Sequence, residues 1–346
     1  MTFFSAKKPV RVEVFGKTDL GRTRDHNEDR FLVADPTRKA ANLQADVRQH
    51  TIGPRGTLLV VADGMGGAAA GELASEMAAD TIYGHLVKTW NAEEEITPQR
   101  FAYRLKEAVE VANANIHAHA KAHPEVRGMG TTTTAAGVLN DHLYLTQVGD
   151  SRAYLIRGGQ AHQITKDQSL MQRLVEAGEL TEEEAAQSER RNIILQALGP
   201  DAKVKVDLTH QEVRRGDVLV LCSDGLSGQV KKEEIAKAVT ESPDLSAACE
   251  KLIALANERG GPDNITVVIA RFDGDGLRFS GSGTQEDVGH QVYPLIDTET
   301  STEPVPVYKG SRTPVPNRET RQQTRTLVLA LIAIAAALIW YFTRSQ

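Results

Sequence analysis

The sequence predicts an α+β fold with a largely antiparallel sheet, and the order of its elements carries this prediction. Eight short segments are rich in β-branched residues and close on Gly, Asp or Asn, which is typical of strands. Two long helical segments fall together between the third and fourth of these strands, whereas most other strands follow one another directly. A parallel sheet would instead alternate strands with helices, so it is disfavoured.

The individual elements follow from local patterns along residues 9–273, which we interpret as one compact domain after a loose tail at residues 1–8. The predicted strands cover residues 10–18, 30–35, 56–63, 131–140, 142–150, 152–160, 217–224 and 265–272. The predicted helices cover residues 70–90, 98–123, 167–180, 181–187 and 244–260. The Gly158–Gly159 pair between two strand-like runs is typical of a hairpin.

The composition changes after the domain. Residues 274–325 are rich in Gly, Ser, Thr and Pro and contain few apolar residues, which predicts a disordered linker. Residues 326–343 are uncharged and almost wholly apolar, which predicts a single transmembrane helix near the lower limit of about 17–25 residues. A buried core helix is the alternative, but the preceding linker and the flanking Trp340 and Tyr341 favour a membrane.

The charges beside this apolar segment predict its orientation. Arginines are more numerous before it than after it: Arg312, Arg318, Arg321 and Arg325 precede it, and Arg344 follows it. Positive charge stays on the cytoplasmic side of a membrane. We therefore expect a tail anchor in the inner (cytoplasmic) membrane, with the domain in the cytoplasm.

Bulk properties exclude some functions. The net charge of −6 argues against a nucleic-acid binder, because phosphate contacts need a basic surface. The two cysteines, Cys222 and Cys249, are too few for a disulfide framework or a paired-cysteine metal site.

Acidic residues stand at the ends of several apolar runs. Asp63, Asp150 and Asp224 end predicted strands, whereas Asp29 and Asp263 precede them. Taken singly, an Asp-Gly pair is usually a plain turn. If these strand ends converge, however, the carboxylates would repel one another unless cations lie between them. An all-oxygen ligand set suits Mg²⁺ or Mn²⁺ rather than zinc.

The glycine-rich turn after Asp63, "DGMGGAAAG", does not match a phosphate-binding loop. It lacks the Lys and Ser/Thr of a Walker A motif and the glycine spacing of a dinucleotide-binding motif. Glycines beside an acidic ligand instead let the backbone approach a metal closely. Arg24, four residues before Glu28, is the best candidate for binding phosphate, because its guanidinium matches phosphate oxygens.

Taken together, these motifs resemble the PP2C (PPM) family of metal-dependent protein serine/threonine phosphatases, especially its bacterial branch. The matching stretches run in family order: "RTRDHNEDRF", "VVADGMGG", "GMGTT", "VGDSRAYL", "ITKDQSLMQRLVEAGELTEEEA", "LCSDGL" and "GGPDNITVV". The resemblance implies an α-β-β-α sandwich with two central antiparallel sheets. It also implies two Mn²⁺ or Mg²⁺ ions, with a possible third, and a variable flap at about residues 165–199.

The resemblance assigns roles residue by residue. The positions that match metal ligands are Asp29, Asp63, Gly64 (through its carbonyl), Asp150, Asp224 and Asp263. Arg24 matches the phosphate-binding arginine and, with Asp63 and Asp224, is expected to carry catalysis. Glu28 and Asn264 are expected beside the ligands rather than among them.

The activity that the resemblance implies is hydrolysis of phosphoserine and phosphothreonine by direct attack of a metal-bridging water, which would reverse kinase signalling. Phosphorylated proteins, including a cognate Ser/Thr kinase, are the expected partners. A non-catalytic scaffold or sensor on the same fold and a small-molecule phosphoesterase are the alternatives. Ala68 departs from the family, because it stands where bacterial relatives commonly have a histidine, and this leaves the general acid open.

Overall fold

The computed structural model describes residues 8–42, 48–279 and 288–295. The strands are β1 (Arg11–Asp19), β2 (Asp29–Asp35), β3 (Ala40–Ala41), β4 (Gln49–Thr51), β5 (Thr57–Met65), β6 (Gly130–Thr131), β7 (Thr133–Leu139), β8 (His142–Val148), β9 (Arg152–Arg157), β10 (Gln160–Gln163), β11 (Asp207–Glu212), β12 (Val218–Cys222) and β13 (Ile265–Asp273). The α-helices are α1 (Ala68–Trp90), α2 (Pro98–Ala122), α3 (Leu170–Glu176), α4 (Glu182–Gln187), α5 (Asp224–Ser227), α6 (Lys232–Glu241) and α7 (Leu245–Glu258).

The strands form two sheets. The first sheet has the order β10-β9-β12-β13-β1-β4, and the second has the order β11-β8-β7-β5-β2-β3, with β6 beside β5. Every pairing in these sheets is antiparallel, which confirms the predicted strand arrangement.

Alternating side chains of the central strands build separate apolar layers. In β5, Leu58 and Val60 face a cluster that includes Trp90 of α1 and Phe101 of α2. Leu59 and its alternate neighbours face the other way, into a cluster shared by the two sheets. A third cluster packs α6 and α7 on the outer face of the first sheet. The layers therefore follow the order helix, sheet, sheet, helix.

Several elements were not predicted, of which β11 and α6 are the longest, and one predicted helix is shorter than expected. Strand β11 has the sequence "DLTHQE", which lacks a strong apolar alternation. It is a strand because it pairs with β8, and the local sequence does not show this pairing. Helix α6 is mostly charged and polar, and it has only one narrow apolar stripe, to which Ile235 and Val239 belong. The helix predicted at 167–180 is shorter, because the Ser169 side chain caps α3 and Gly178 adopts a positive φ soon after it ends.

The predicted linker needs a correction, because parts of residues 274–325 pack against the domain. Leu277 is buried among the residues between the two sheets. The Tyr293 N–H donates to the Leu208 carbonyl at 2.9 Å, and the Tyr293 ring lies 5.3 Å from that of Tyr144. Leu277 and Tyr293 thus pack against the domain although the composition of the surrounding segment is polar.

The predicted transmembrane segment at 326–343 lies outside the described residues. Within the part of the chain that the structure describes, no helix has both the length and the apolar character needed to cross a membrane. The membrane span therefore stays a prediction.

Candidate metal centre

The second sheet brings the first two candidate carboxylates together. Strand β2 begins at Asp29, and its antiparallel register with β5 places Asp29 opposite Asp63. The Asp63 carbonyl accepts hydrogen bonds from the Thr132 N–H at 2.8 Å and from the Thr131 hydroxyl at 2.9 Å. These bonds hold the backbone at the point where the buried strand ends.

The remaining candidate carboxylates come from the ends of four strands. Asp150 lies between β8 of the second sheet and β9 of the first sheet, so it stands where the chain crosses between the sheets. Asp224 begins α5 directly after β12, and Asp263 lies just before β13. Because β12 pairs with both β9 and β13, these ends meet at one edge of the sandwich.

The carboxylates of the second sheet lie next to residues at the strand ends of the first sheet. The Ser223 hydroxyl, which is buried, donates to Asp29 Oδ2 at 2.7 Å and accepts from the Thr266 N–H at 3.0 Å. Asp224, which follows a strand of the first sheet, lies close enough to Asp63 of the second sheet for its charge to raise the pKa of Asp63. The sequence prediction that distant strand-end carboxylates converge is therefore matched by the geometry.

The environment of these aspartates disfavours their charged forms. Burial, followed by the nearby Asp224 charge, raises the pKa of Asp29 and of Asp150 to about 7. Loss of hydration and the Asp29 charge raise the pKa of Asp63 well above its usual range. Loss of hydration and the Asp263 charge also raise the pKa of Asp224. A cation among these groups would favour ionisation by offsetting the repulsion.

The donor chemistry fits a hard divalent cation. Asp150 Oδ1 is buried and has no hydrogen-bond partner, which is unusual for a carboxylate oxygen unless another ligand satisfies it. Carboxylate and carbonyl oxygens are the donors that Mg²⁺ and Mn²⁺ prefer. Within the described residues, no three His, Cys, Asp or Glu side chains already lie close enough to enclose a metal.

Gly64 stands where the resemblance expects a metal ligand that acts through its backbone carbonyl, and no larger residue has room at this position. A Cβ at Gly64 would overlap the carbonyl oxygens of Gly71 and Glu28. The Gly64 N–H donates to the Glu28 carbonyl at 3.1 Å, which draws the two backbones together. The glycine-rich turn is thus a close backbone packing beside the carboxylates.

The predicted supporting residues lie beside this cluster. The Arg24 guanidinium is half exposed and donates to Asp263 Oδ2 at 2.7 Å, which raises the pKa of Arg24. The Asn264 side chain accepts from the Glu28 N–H at 2.8 Å and donates to the Leu20 and His26 carbonyls. Asn264 therefore secures the loop that carries both Arg24 and Glu28.

Sequence reasoning missed Ser223 as a functional candidate. The available signal was its position between the apolar end of β12 and Asp224, where a hydroxyl inside a buried run needs a partner. Its partner Asp29 lies 194 residues away, so local pattern could not identify the contact.

Comparison with known proteins places this geometry among phosphatases. The family model described as Protein phosphatase 2C matches residues 38–265. The chain is 35% identical over 253 residues to the serine/threonine phosphatase stp of Listeria innocua, covering 73% of this chain and 93% of that protein. It is 42% identical over 213 residues to the serine/threonine protein phosphatase PstP of Mycobacterium tuberculosis, covering 62% of this chain but only 40% of PstP.

A solved structure extends the similarity to three dimensions. The crystal structure of the catalytic domain of PstP in complex with two manganese ions matches with a TM-score of 0.61 and 35% sequence identity. The match covers 76% of this chain and 99% of that domain.

Proposed function

The chain belongs to the protein phosphatase 2C family and is a metal-dependent protein serine/threonine phosphatase, and from this premise we propose which of its residues perform the reaction. The supporting observation is the convergence of strand-end aspartates from both sheets, with an arginine beside them. Mutually repelling carboxylates at the edge of a packed sandwich are costly to stability, so a cation-dependent function accounts for them.

We propose that two Mn²⁺ or Mg²⁺ ions, with a possible third, bind at this cluster. Their ligands would be Asp29, Asp63, Asp150, Asp224, Asp263 and the Gly64 carbonyl. When bound, the ions supply the positive charge that activates water for attack on phosphorus and stabilises the transition state. Ser223 orients Asp29 through its hydroxyl, and the hydrogen bonds to the Asp63 carbonyl orient β5.

Arg24 is proposed to bind the substrate phosphate. Its guanidinium is half exposed, and one nitrogen bonds to Asp263 in this structure. A guanidinium has five N–H donors in a planar fork, so further donors remain for phosphate oxygens. Arg24 would then place the phosphate next to the carboxylate cluster.

The experiment that tests this function compares Asp224→Asn with Asp25→Asn in the purified protein. Asp25 lies exposed beside Arg24, so its variant matches the charge change outside the cluster. We expect Mn²⁺-dependent release of phosphate from a phosphothreonine peptide by the unaltered protein and Asp25→Asn, and a loss of at least about 100-fold in Asp224→Asn. Equal activity of the three proteins would refute the assignment.

The two alternatives predict different results. A scaffold or sensor would keep its cellular role in a strain that carries Asp63→Asn and Asp224→Asn together, whereas an enzyme would lose it. A small-molecule phosphoesterase would show a higher kcat/KM for phosphorylated metabolites such as sugar phosphates than for phosphopeptides.

We further propose that residues 326–343 anchor the protein in the inner membrane as a single-pass segment, with the catalytic domain in the cytoplasm near a phosphorylated Ser/Thr kinase. The apolar run and the arginines before it support this proposal. Fractionation tests it: the full chain should stay in carbonate-washed membranes, and a chain ending at residue 325 should be released. A full chain found in the soluble fraction would refute it.

A further inference from the structure

Gln168 connects the loop that carries Asp150 to the neighbouring strand β11, and we infer that it is a positioning residue for Asp150. The inference rests on the proposed role of Asp150 as a metal ligand. Gln168 lies in the flap and is half buried, so its contacts can transmit the flap conformation to the cluster.

Gln168 first makes two hydrogen bonds to the backbone of Gly149, the residue before Asp150. The Gly149 N–H donates to the side-chain Oε1 of Gln168 at 3.0 Å, and the Gly149 carbonyl accepts from the backbone N–H of Gln168 at 2.9 Å. Gly149 has a φ of 101°, and a Cβ there would overlap the Thr132 side chain. The backbone therefore enters Asp150 in a conformation that suits glycine, and Gln168 bonds to both of its polar groups.

The second contact joins Gln168 to β11 and the rest of the flap. Its Nε2 donates to Asp207 Oδ2 at 2.8 Å and to the Lys205 carbonyl at 3.3 Å. The backbone carbonyl of Gln168 accepts from the backbone N–H of Leu195 at 2.8 Å. The side chain uses its acceptor on one side and its donor on the other, which an amide can do and a carboxylate or apolar side chain cannot.

These bonds matter because the Asp150 carboxylate has little support of its own. Its Oδ1 is buried without a hydrogen-bond partner, so the direction of the carboxylate depends on the backbone that carries it. The following residue, Ser151, is held by Thr132 through a 2.8 Å hydroxyl contact. On the preceding residue, Gln168 accepts the Gly149 N–H, while the Gln147 side chain also donates to the Gly149 carbonyl at 3.2 Å. Residues that orient a metal ligand commonly change metal affinity about 10–100-fold when they are replaced.

The test compares Gln168→Met with Gln172→Met in the full chain after removal of metal by a chelator. Gln172 lies in the same flap, but its side chain bonds only to Glu176 among the contacts in the described residues. We expect titration calorimetry with Mn²⁺ to show about 10-fold weaker binding for one class of site in Gln168→Met and no change in Gln172→Met. Hydrogen exchange of the Gly149 amide should also become faster in Gln168→Met alone.

A second variant keeps the inference testable if Gln168→Met does not fold. Asp207→Ala removes the closer of the two acceptors of the Gln168 amide but leaves the bonds of Gln168 to Gly149, so it should weaken Mn²⁺ binding less. Because Asp207 acts through Gln168, combining both changes should add nothing to the effect of Gln168→Met. Normal Mn²⁺ affinity in both single variants would overturn the inference, whereas an unaltered protein that binds no Mn²⁺ would refute the proposed function instead.

Discussion

Replacing Asp150 by Asn should stabilise the metal-free protein while weakening its metal binding. Asp150 is 7% exposed, its Oδ1 has no hydrogen-bond partner, and burial followed by the Asp224 charge raises its pKa to about 7. The carboxylate therefore opposes folding whenever it is ionised and no cation is bound. Asn has nearly the same shape and carries no charge, so it removes this cost.

The magnitude follows from the two pKa values. In the unfolded chain the Asp150 carboxyl has a pKa of about 3.9. Folding raises this pKa to about 7, and each unit of the rise costs about 1.36 kcal/mol, so the ionised carboxylate destabilises the folded protein by about 4 kcal/mol. Below pH about 4 the group is protonated in both states, so it costs nothing. Between pH about 4 and about 7 the folded state binds the extra proton, and stability falls as pH rises. Above pH about 7 the full cost is present.

Urea denaturation in the presence of a chelator, at pH 5, 6, 7 and 8, measures this difference. Asp150→Asn should have a free energy of unfolding about 1–2 kcal/mol above that of the unaltered protein at pH 5, and up to about 4 kcal/mol above it at pH 8. Asp141→Asn is the control, because Asp141 is 43% exposed and lies outside the cluster, and it should change little at any pH. A stability difference that does not grow between pH 5 and pH 8 would refute the reasoning.

Three further substitutions test other contacts. Ser223→Ala removes the 2.7 Å hydrogen bond to Asp29, so calorimetry should show about 10-fold weaker Mn²⁺ binding. Gly64→Ala pushes a methyl group into two carbonyl oxygens, so thermal unfolding should show a loss of about 1–3 kcal/mol together with lower Mn²⁺ affinity. Asp217→Asn removes the carboxylate that accepts two hydrogen bonds from the largely buried Arg157 guanidinium, so urea denaturation should show a loss of about 3–5 kcal/mol.

Two of these substitutions have a matched control variant, and for Asp217→Asn the activity per folded molecule serves as the control measurement. Ser75→Ala removes a buried hydroxyl that bonds only to a helix carbonyl among the contacts in the described chain, so Mn²⁺ affinity should not change. Gly84→Ala lies in α1 with open space around it, and it should stabilise the helix slightly. Asp217 lies at the opposite end of β12 from Asp224, so activity per folded molecule should survive its substitution. Equal effects in a variant and its control would contradict the corresponding prediction.

Much of the fold was predictable because the strands carry their own signals. Runs such as residues 58–62 are continuously apolar and bounded by turn residues, so strand β5 and its terminal Asp63 stand out in the sequence. The same holds for β12, where an apolar run meets Asp224. Charges that end buried strands are a local pattern, and the pattern correctly indicated the acidic cluster.

The contacts between distant residues were not predictable in this way. The Ser223–Asp29 bond joins positions 194 residues apart, and the Gln168–Asp207 bond depends on β11, a strand without a clear sequence signal. The packing of Tyr293 on Tyr144 contradicts the composition of its own segment, which is typical of a linker. In each case the decisive partner comes from tertiary structure.

The position of the carboxylates explains how the fold tolerates them. Asp29 and Asp63 lie opposite each other because the register of β2 and β5 is set by the apolar residues further along both strands, which pack in the clusters on either side. A slip of one residue would move every one of those side chains to the wrong face, so the register is strongly held. The apolar layers can therefore hold repelling charges at the strand ends, where we propose that a bound cation relieves the repulsion and that Arg24 binds the incoming phosphate.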